Sequence, residues 1–356
     1  MKPFVYVLIV AVLAPSAAWT ANSKGGKGNS PVTTEAALGF LYSQQSEFGL
    51  VDSFREDGID YAYSYDNAMA TMAFVSAGDL SSARKVLEAF ASIGTEPDGG
   101  FLHRYHATDG GNAFGITGVG HNAYILHAMT LYRLESGDPG FDNIAIDIAE
   151  YLLAHQDSDG GLVGRAGVTW KSTENNLAAY TAVHSLGVIL GIQEYIDAAS
   201  DIRFFLESEC WDGTRFLTGK SDPMIVTDAQ ALGAMVLGPA FGNGAYWVQD
   251  YTLTTRRYHR GRRVTGFDLN TDRDTVWTEG TLQQALAFSV AGDPELGDFY
   301  RQEAEKLHQS SSGAFQQASN VGSTGFGENF NTWQAAAPTA WFILAANQDN
   351  VLQPLW

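Results

Sequence analysis

Two kinds of apolar segment alternate along the chain. Residues 69–75, 124–132, 177–188, 231–237, 282–290 and 335–346 are apolar nearly all round, and a helix of that composition is buried on every side. Between them lie segments with the 3.6-residue period of half-wet helices. Residues 34–44 place Ala37, Leu38 and Leu41 on one face, and residues 80–93 place Ala83, Val86, Leu87 and Phe90 there. The same period runs through 141–155, 193–207 and 294–309, and most faintly through 245–254. Inner helices alternating with half-exposed outer helices predict a closed α/α toroid. Gly-Asp turns at Gly78-Asp79, Gly137-Asp138-Pro139 and Gly292-Asp293-Pro294 join inner to outer segments, with glycine stopping one helix and Asp or Pro opening the next. The returns at 95–120, 156–173, 211–227, 260–278 and 310–332 are long, which marks functional loops in a compact domain. They all enter one end of the ring.

That end also collects carboxylates. A polar, aromatic-rich stretch runs into an acidic helix start at Tyr63-Ser64-Tyr65-Asp66-Asn67, Lys171-Ser172-Thr173-Glu174-Asn175, Val226-Thr227-Asp228 and Trp277-Thr278-Glu279. Gly120-His121-Asn122 and Thr332-Trp333-Gln334 are similar starts without the acid. The spacing, roughly 50 residues, is that of a repeat architecture.

The helix alternation, the starts Tyr65-Asp66-Asn67-Ala68 and Trp277-Thr278-Glu279-Gly280-Thr281, and the closing Pro338-Thr339-Ala340-Trp341-Phe342-Ile343-Leu344-Ala345 resemble the six-hairpin (α/α)6-barrel glycosidase superfamily over residues 33–347. The resemblance implies an all-α (α/α)6 barrel of six inner and six outer helices. It further implies a glycosidase that inverts configuration with a Glu acid and an Asp or Glu base. The architecture also hosts polysaccharide lyases, epimerases and terpenoid cyclases. No single catalytic family matches, so candidate site residues come from this chain's own pattern.

Glycoside hydrolysis needs two carboxyl groups flanking the scissile bond, one protonated and one ionised. The candidates are Glu279 and Glu174, with Trp277 and Trp170 near them to raise a pKa by desolvation, Asp66 as the preferred base, and Asp228 facing Asp66 across the pore. Glu328 lies in the last long loop. A competing reading makes these acids ordinary helix starts, favoured by the helix dipole, with Thr173, Thr227 and Thr278 as caps. The candidate sugar contacts are Tyr63, Tyr65, Asn67, His121, Asn122, Trp170, Asn175, Arg273, Trp277, Gln283 and Trp333, with Trp211, Phe326 and Phe330 adding aromatic surface. Aromatic faces offer flat apolar contact while polar neighbours fix orientation. His127 and His184, inside apolar segments, are core histidines, and Trp341 is a plug.

No metal and no cofactor is expected. Asp268, Asn270, Asp272 and Asp274 are spaced like a calcium loop but lack the Gly and Glu that complete one. The better reading is a loop whose Arg273 and Asp274 hold Trp277 and Glu279. The histidines have no zinc spacing. Cys210 is the lone cysteine, which excludes an intrachain disulfide.

The formal charge of −19, with 40 acidic against 21 basic residues, speaks against nucleic acid and anionic membranes. Arg256, Arg257, Arg260, Arg262 and Arg263 form the one basic cluster, read as a solvated face or an anionic subsite. The start, with one early Lys, an apolar run over 4–14 and small residues behind it, has the form of a signal peptide over 1–21. A flexible linker over 22–32 and one catalytic domain over 33–356 follow. The expectation is a bacterial protein, secreted or periplasmic, monomeric, and not inserted in the membrane after cleavage. Two other functions fit the pattern. One is a lyase on a uronate-containing glycan using Tyr65, Asn67, His121, Asn122, Tyr124 and the arginines. The other is a non-catalytic glycan-binding envelope protein.

Overall fold

The computed structural model describes residues 32–258 and 261–355. The signal peptide, the linker up to residue 31, and Arg260 lie outside the described residues. Among those described, the helices are α1 (Thr34–Gln44), α2 (Ser64–Ser76), α3 (Leu80–Ile93), α4 (Val119–Ser136), α5 (Asp142–Leu153), α6 (Thr173–Leu190), α7 (Gln193–Phe205), α8 (Thr227–Leu237), α9 (Asn243–Trp247), α10 (Gln249–Thr252), α11 (Thr278–Val290), α12 (Pro294–Ala304) and α13 (Ala336–Asn347). The helices α2, α4, α6, α8, α11 and α13 each pack on the next, and α13 packs back on α2. This closes the inner ring.

Each outer helix lies against the inner helix before it, as α3 on α2 and α7 on α6. The exception in sequence, α1, packs on α13, so the sixth hairpin is assembled from the two ends of the described chain. Burial follows the hydrophobic pattern. In α2 every residue from Asp66 to Val75 is buried, whereas α3 buries Ala83, Val86, Leu87 and Phe90 and exposes Arg84, Lys85 and Glu88. The turns work as their residues dictate: Gly137 is left-handed at φ 70°, and Asp79 and Asp293 each accept a first-turn N–H of the following helix at 3.1 Å.

The faint segment at 245–254 is the short pair α9 and α10, running into a strand. Gly242 and Gly244 weaken helix there, and Thr252, Thr254 and Thr255 favour extended backbone. The all-α expectation holds for the barrel, but its loops carry short antiparallel strands. A three-stranded sheet joins β1 (Tyr61–Tyr63), β2 (Leu102–His106) and β3 (Asn112–Thr117). A hairpin pairs β4 (Leu253–Arg257) with β5 (Arg263–Phe267). The last long loop holds β6 (His308–Gln309), β7 (Ala314–Gln316), β8 (Gly322–Ser323), β9 (Asn329–Phe330) and β10 (Gln334–Ala335).

The end of the ring away from the acids is sealed by the segment after α13. The carbonyl of Val351 meets His127 Nε2 at 2.6 Å, Thr181 Oγ1 donates to Leu352 at 2.8 Å, and Asn350 Nδ2 donates to Met235 at 2.8 Å. His127 and His184 are buried there, as expected of core histidines. The ring is open at one end.

Candidate active site

At the open end one construction repeats on every inner helix. Its fourth residue ties down the loop beside it. Asn67 accepts from the Val51 N–H at 2.8 Å and donates to the Val51 carbonyl at 3.0 Å. Asn122 does the same to Phe101 at 2.7 and 3.0 Å, Asn176 to Leu162 at 2.7 and 3.1 Å, and Gln230 to Phe216 at 2.8 and 2.7 Å. Thr281 and Thr339 accept the N–H groups of Phe267 and Phe315 at 3.0 and 2.9 Å. All six side chains are fully buried. They satisfy loop backbone groups that have no water to turn to. Asn67 and Asn122 are therefore not sugar contacts, because their amides are spent on backbone.

Two positions before each clamp stand Tyr65, Gly120, Glu174, Asp228, Glu279 and Ala337, and all of them line one cavity of about 650 Å³. Glu174, Asp228 and Glu279 thus hold equivalent positions on three consecutive inner helices. Asp66 is one residue out of this register, in the row of His121 and Asn175. The threonines before the three acids are not caps. Thr173 Oγ1 donates to Leu217 O at 2.6 Å, and Thr227 Oγ1 donates to Asp268 O and meets Thr252 Oγ1 at 2.8 Å, while Ser172 caps α6. The hydroxyls of Thr173 and Thr227 anchor loops, whereas that of Thr278 is buried with no hydrogen-bond partner among the described residues.

The four acids share the cavity with Tyr63, Tyr65, His121, Trp170, Asn175, Trp277, Gln283 and Trp333, and with Glu328 and Phe330. Trp277 stacks on Phe330 with ring centres 5.5 Å apart. Arg273 is not there. It sits in the left-handed region at φ 58° and turns its guanidinium away, Nε donating to Tyr251 O at 2.5 Å and Nη2 to Asp250 O. Trp211 also packs elsewhere, against Phe216 and Phe241. Asp274 holds Ser323 N rather than Trp277 or Glu279. The carboxylates of Asp268, Asp272 and Asp274 offer oxygens within 4.8 Å of one another, and each accepts a nearby backbone N–H. The arginines of β4 and β5 do not line the cavity. Tyr124, which the sequence offers only to the lyase alternative, completes the wall together with His103, Arg165, Phe54, Phe114 and Gln317. Tyr124 lies at the sixth position of α4, so the helix-start pattern held no signal for it.

The acids are held far from their ordinary behaviour. Burial pushes Glu279 up to about 8, with Asp66, Glu174 and Asp228 adding like-charge repulsion. Its Oε1 accepts from Tyr65 Oη and from Gln283 Nε2 at 3.1 Å, and Tyr65 Oη in turn accepts from Trp341 Nε1 at 3.0 Å. With Oε1 occupied as an acceptor, the proton of neutral Glu279 resides on Oε2. Burial and the neighbouring Asp228 raise Glu174 to about 8, against a hydrogen bond from Tyr124. Asp228 is raised by burial only to about 6, because the Ala229 N–H at 2.7 Å favours its charged form. Burial takes Asp66 to about 7. Desolvation outweighs the helix-start field at each site. Of the three acids in register, Asp228 is the one whose charged form a backbone N–H favours, and it stands between two glutamic acids that burial pushes toward the neutral form.

No family model matches the chain, and no curated protein matches it in sequence. Its backbone does match solved structures. A glycosidase in complex with glucose superposes with a TM-score of 0.69 at 13% identity, covering 90% of this chain and 96% of that one. An alpha-amylase from Clostridium perfringens gives 0.64 at 12%, covering 88% and 96%. Cellobiose 2-epimerase from Bacillus thermoamylovorans gives 0.61 at 11%, covering 86% and 95%. The chain has the (α/α)6-barrel fold. In this (α/α)6 barrel the acids stand at the mouth, on the first turn of α2, α6, α8 and α11.

Proposed function

We propose that the chain is an exported carbohydrate-active enzyme that hydrolyses a glycosidic bond in an oligo- or polysaccharide by general acid–base catalysis. The observation that carries this reading is the row Glu174–Asp228–Glu279, three carboxyl groups in one register facing an aromatic-walled cavity, with their protonation states pushed apart. Pairs of titratable groups split in this way are what acid–base chemistry near neutral pH requires. Glu279 donates its proton to the leaving oxygen. Asp228 takes the proton of an attacking water, which inverts the anomeric centre. Glu174, neutral, donates a hydrogen bond to the sugar. The sequence alone favours Asp66 as base; the register favours Asp228. The glycosidase and alpha-amylase neighbours support a sugar substrate, and the apolar run over 4–14 supports export.

The test is mass spectrometry of products from a panel of neutral, amino and uronic-acid glycans, where hydrolysis adds one water across each cut. Glu279→Gln and Asp228→Asn each lose about 10²–10⁴-fold in rate, the usual contribution of a positioned acid or base. On a dinitrophenyl glycoside, whose leaving group needs no proton, Glu279→Gln recovers and Asp228→Asn does not. Failure of every glycan to yield a fragment sinks the hydrolase.

A second reading, epimerisation or isomerisation of a reducing sugar, has one observation in its favour. His121 Nε2 donates to Phe101 O at 2.9 Å, and burial holds the imidazole down at about 4. Its Nδ1 is then unprotonated at neutral pH, beside the cavity. Deuterium entering unfragmented sugar from heavy water would establish that reading. The lyase loses its parts: Tyr65 Oη donates to Glu279 with its phenol held well above 10, and Asn67 and Asn122 are committed to backbone.

A further inference from the structure

A second cavity of about 490 Å³ opens beside the first. The two share Trp170, Glu174, Asn175 and Asp228 and nothing else. Beyond that boundary the second space is walled by Thr218, Gly219 and Lys220 from the loop before α8 and by Phe326 from the last long loop. Glu279 and Tyr65 belong to the first space alone. Both volumes fall in the ~300–1,000 Å³ range of sites that enclose a small ligand. Trp170 is 52% exposed and Phe326 57%, so both present free ring surface on which a sugar can stack. Trp170 packs against Gly164 of its own loop: a Cβ on Gly164 would fall 1.8 Å from the indole.

Resting on the hydrolase reading, we propose that the two cavities are one binding cleft bent around Glu174 and Asp228. The substrate is then a glycan with sugar rings on both sides of the cleaved bond, and Phe326 is the stacking platform of the second lobe. The sugar on one side rests against Glu279 and Tyr65. The chain crosses Asp228 and Glu174 under Trp170, and the sugars on the other side lie between Lys220 and Phe326. Lys220 is held by Asp159 at 2.8 Å and Glu209 at 3.2 Å, so the lobe offers a neutralised ammonium to hydroxyl groups and does not select an anionic sugar. The bond that breaks joins the anomeric carbon to the bridging oxygen. Water supplies the hydroxyl to the carbon, and Glu279 supplies the proton to the oxygen.

The experiment uses α-1,4- and β-1,4-linked gluco-oligosaccharides from disaccharide to hexasaccharide. Cleavage is followed by mass spectrometry, and affinity by calorimetry on Glu279→Gln. The expected result is a rise in kcat/KM with length of roughly tenfold, the scale of one well-placed aromatic contact, with affinity rising in parallel. Phe326→Ala flattens both series. Val321→Ala, on the same loop and outside both cavities, keeps the length dependence. Length-dependent affinity that Phe326→Ala removes, without any cleavage, upholds the cleft and overturns only the hydrolase. Cleavage with kcat/KM independent of length overturns the cleft and leaves the hydrolase standing. Absence of length dependence in binding and cleavage alike overturns the cleft.

Discussion

Asn175 and Asn176 are adjacent in sequence, and their replacement should have opposite effects. Asn176 is fully buried, and its amide holds Leu162 N–H at 2.7 Å, Leu162 O at 3.1 Å and Ser172 O at 2.8 Å. Asn176→Ala removes all three. Ser172 O keeps the Asn176 N–H at 3.2 Å, so the orphaned groups are the N–H and carbonyl of Leu162, itself fully buried. Each unsatisfied buried group costs about 1–3 kcal/mol, which gives a destabilisation of about 2–6 kcal/mol. Urea denaturation reads it as a fall in midpoint at unchanged slope. Asn175 lines both cavities, and Asn175→Ala should stay within about 0.5 kcal/mol of the parent while lowering activity. A cost below about 1 kcal/mol for Asn176→Ala, or equal costs for the two variants, would refute the clamp.

Further outcomes follow from the acids and from the β4–β5 hairpin. The folded chain holds the Glu279 proton up to about pH 8 and the unfolded chain releases it near 4.5, so stability is lost as pH rises through that window. The full loss is on the order of 5 kcal/mol at about 1.36 kcal/mol per pH unit. Glu279→Gln, neutral throughout, should match the parent near pH 4 and exceed it increasingly up to pH 8 in denaturation across that range. The kcat/KM profile should be bell-shaped, with an acid limb near 6 where Asp228 ionises and an alkaline limb near 8 where Glu279 loses its proton. Tyr65→Phe removes a donor to the Glu279 carboxylate and should shift the alkaline limb to higher pH; an unmoved limb removes Glu279 from the acid role. Arg257 and Arg263 are direct cross-strand partners, and like charges so placed destabilise by roughly 0.2–1 kcal/mol. Arg257→Thr should raise the melting temperature, more at low salt than at high.

The barrel was legible because its signal is coarse. A helix apolar all round, such as 177–188, has few alternatives to burial in a ring, and α1 and α3 begin and end where their period does. The acids were legible as helix starts, but their register was not, because the anchoring residue is Asn in three copies, Gln in one and Thr in two. A structure shows these six to be one device; a sequence shows three residue types. The glycine corners at Gly99 and Gly160 belong to the same repeat, each seated against the backbone of an outer helix. A Cβ on Gly160 would lie 2.3 Å from Asp201 O on α7, and one on Gly313 lies 1.9 Å from Ala36 O on α1. Arg273 was misplaced for a different reason. Its positive φ redirects the side chain, and proximity in sequence to Trp277 carries no information about direction.

The hairpin made from α13 and α1 has a bearing on how the chain is made. An open array of repeats can nucleate anywhere and add units one by one, with its ends finished by polar caps. A ring has no caps. Helices α1 and α2 lack α13 until residues 336–347 have been synthesised, so apolar surface made early is among the last to be covered. Long-range closure of this kind slows folding and lengthens exposure to aggregation. A chain shortened before α13 would not be a smaller barrel but an unsealed one, with the flanks of α2 and α11 facing water.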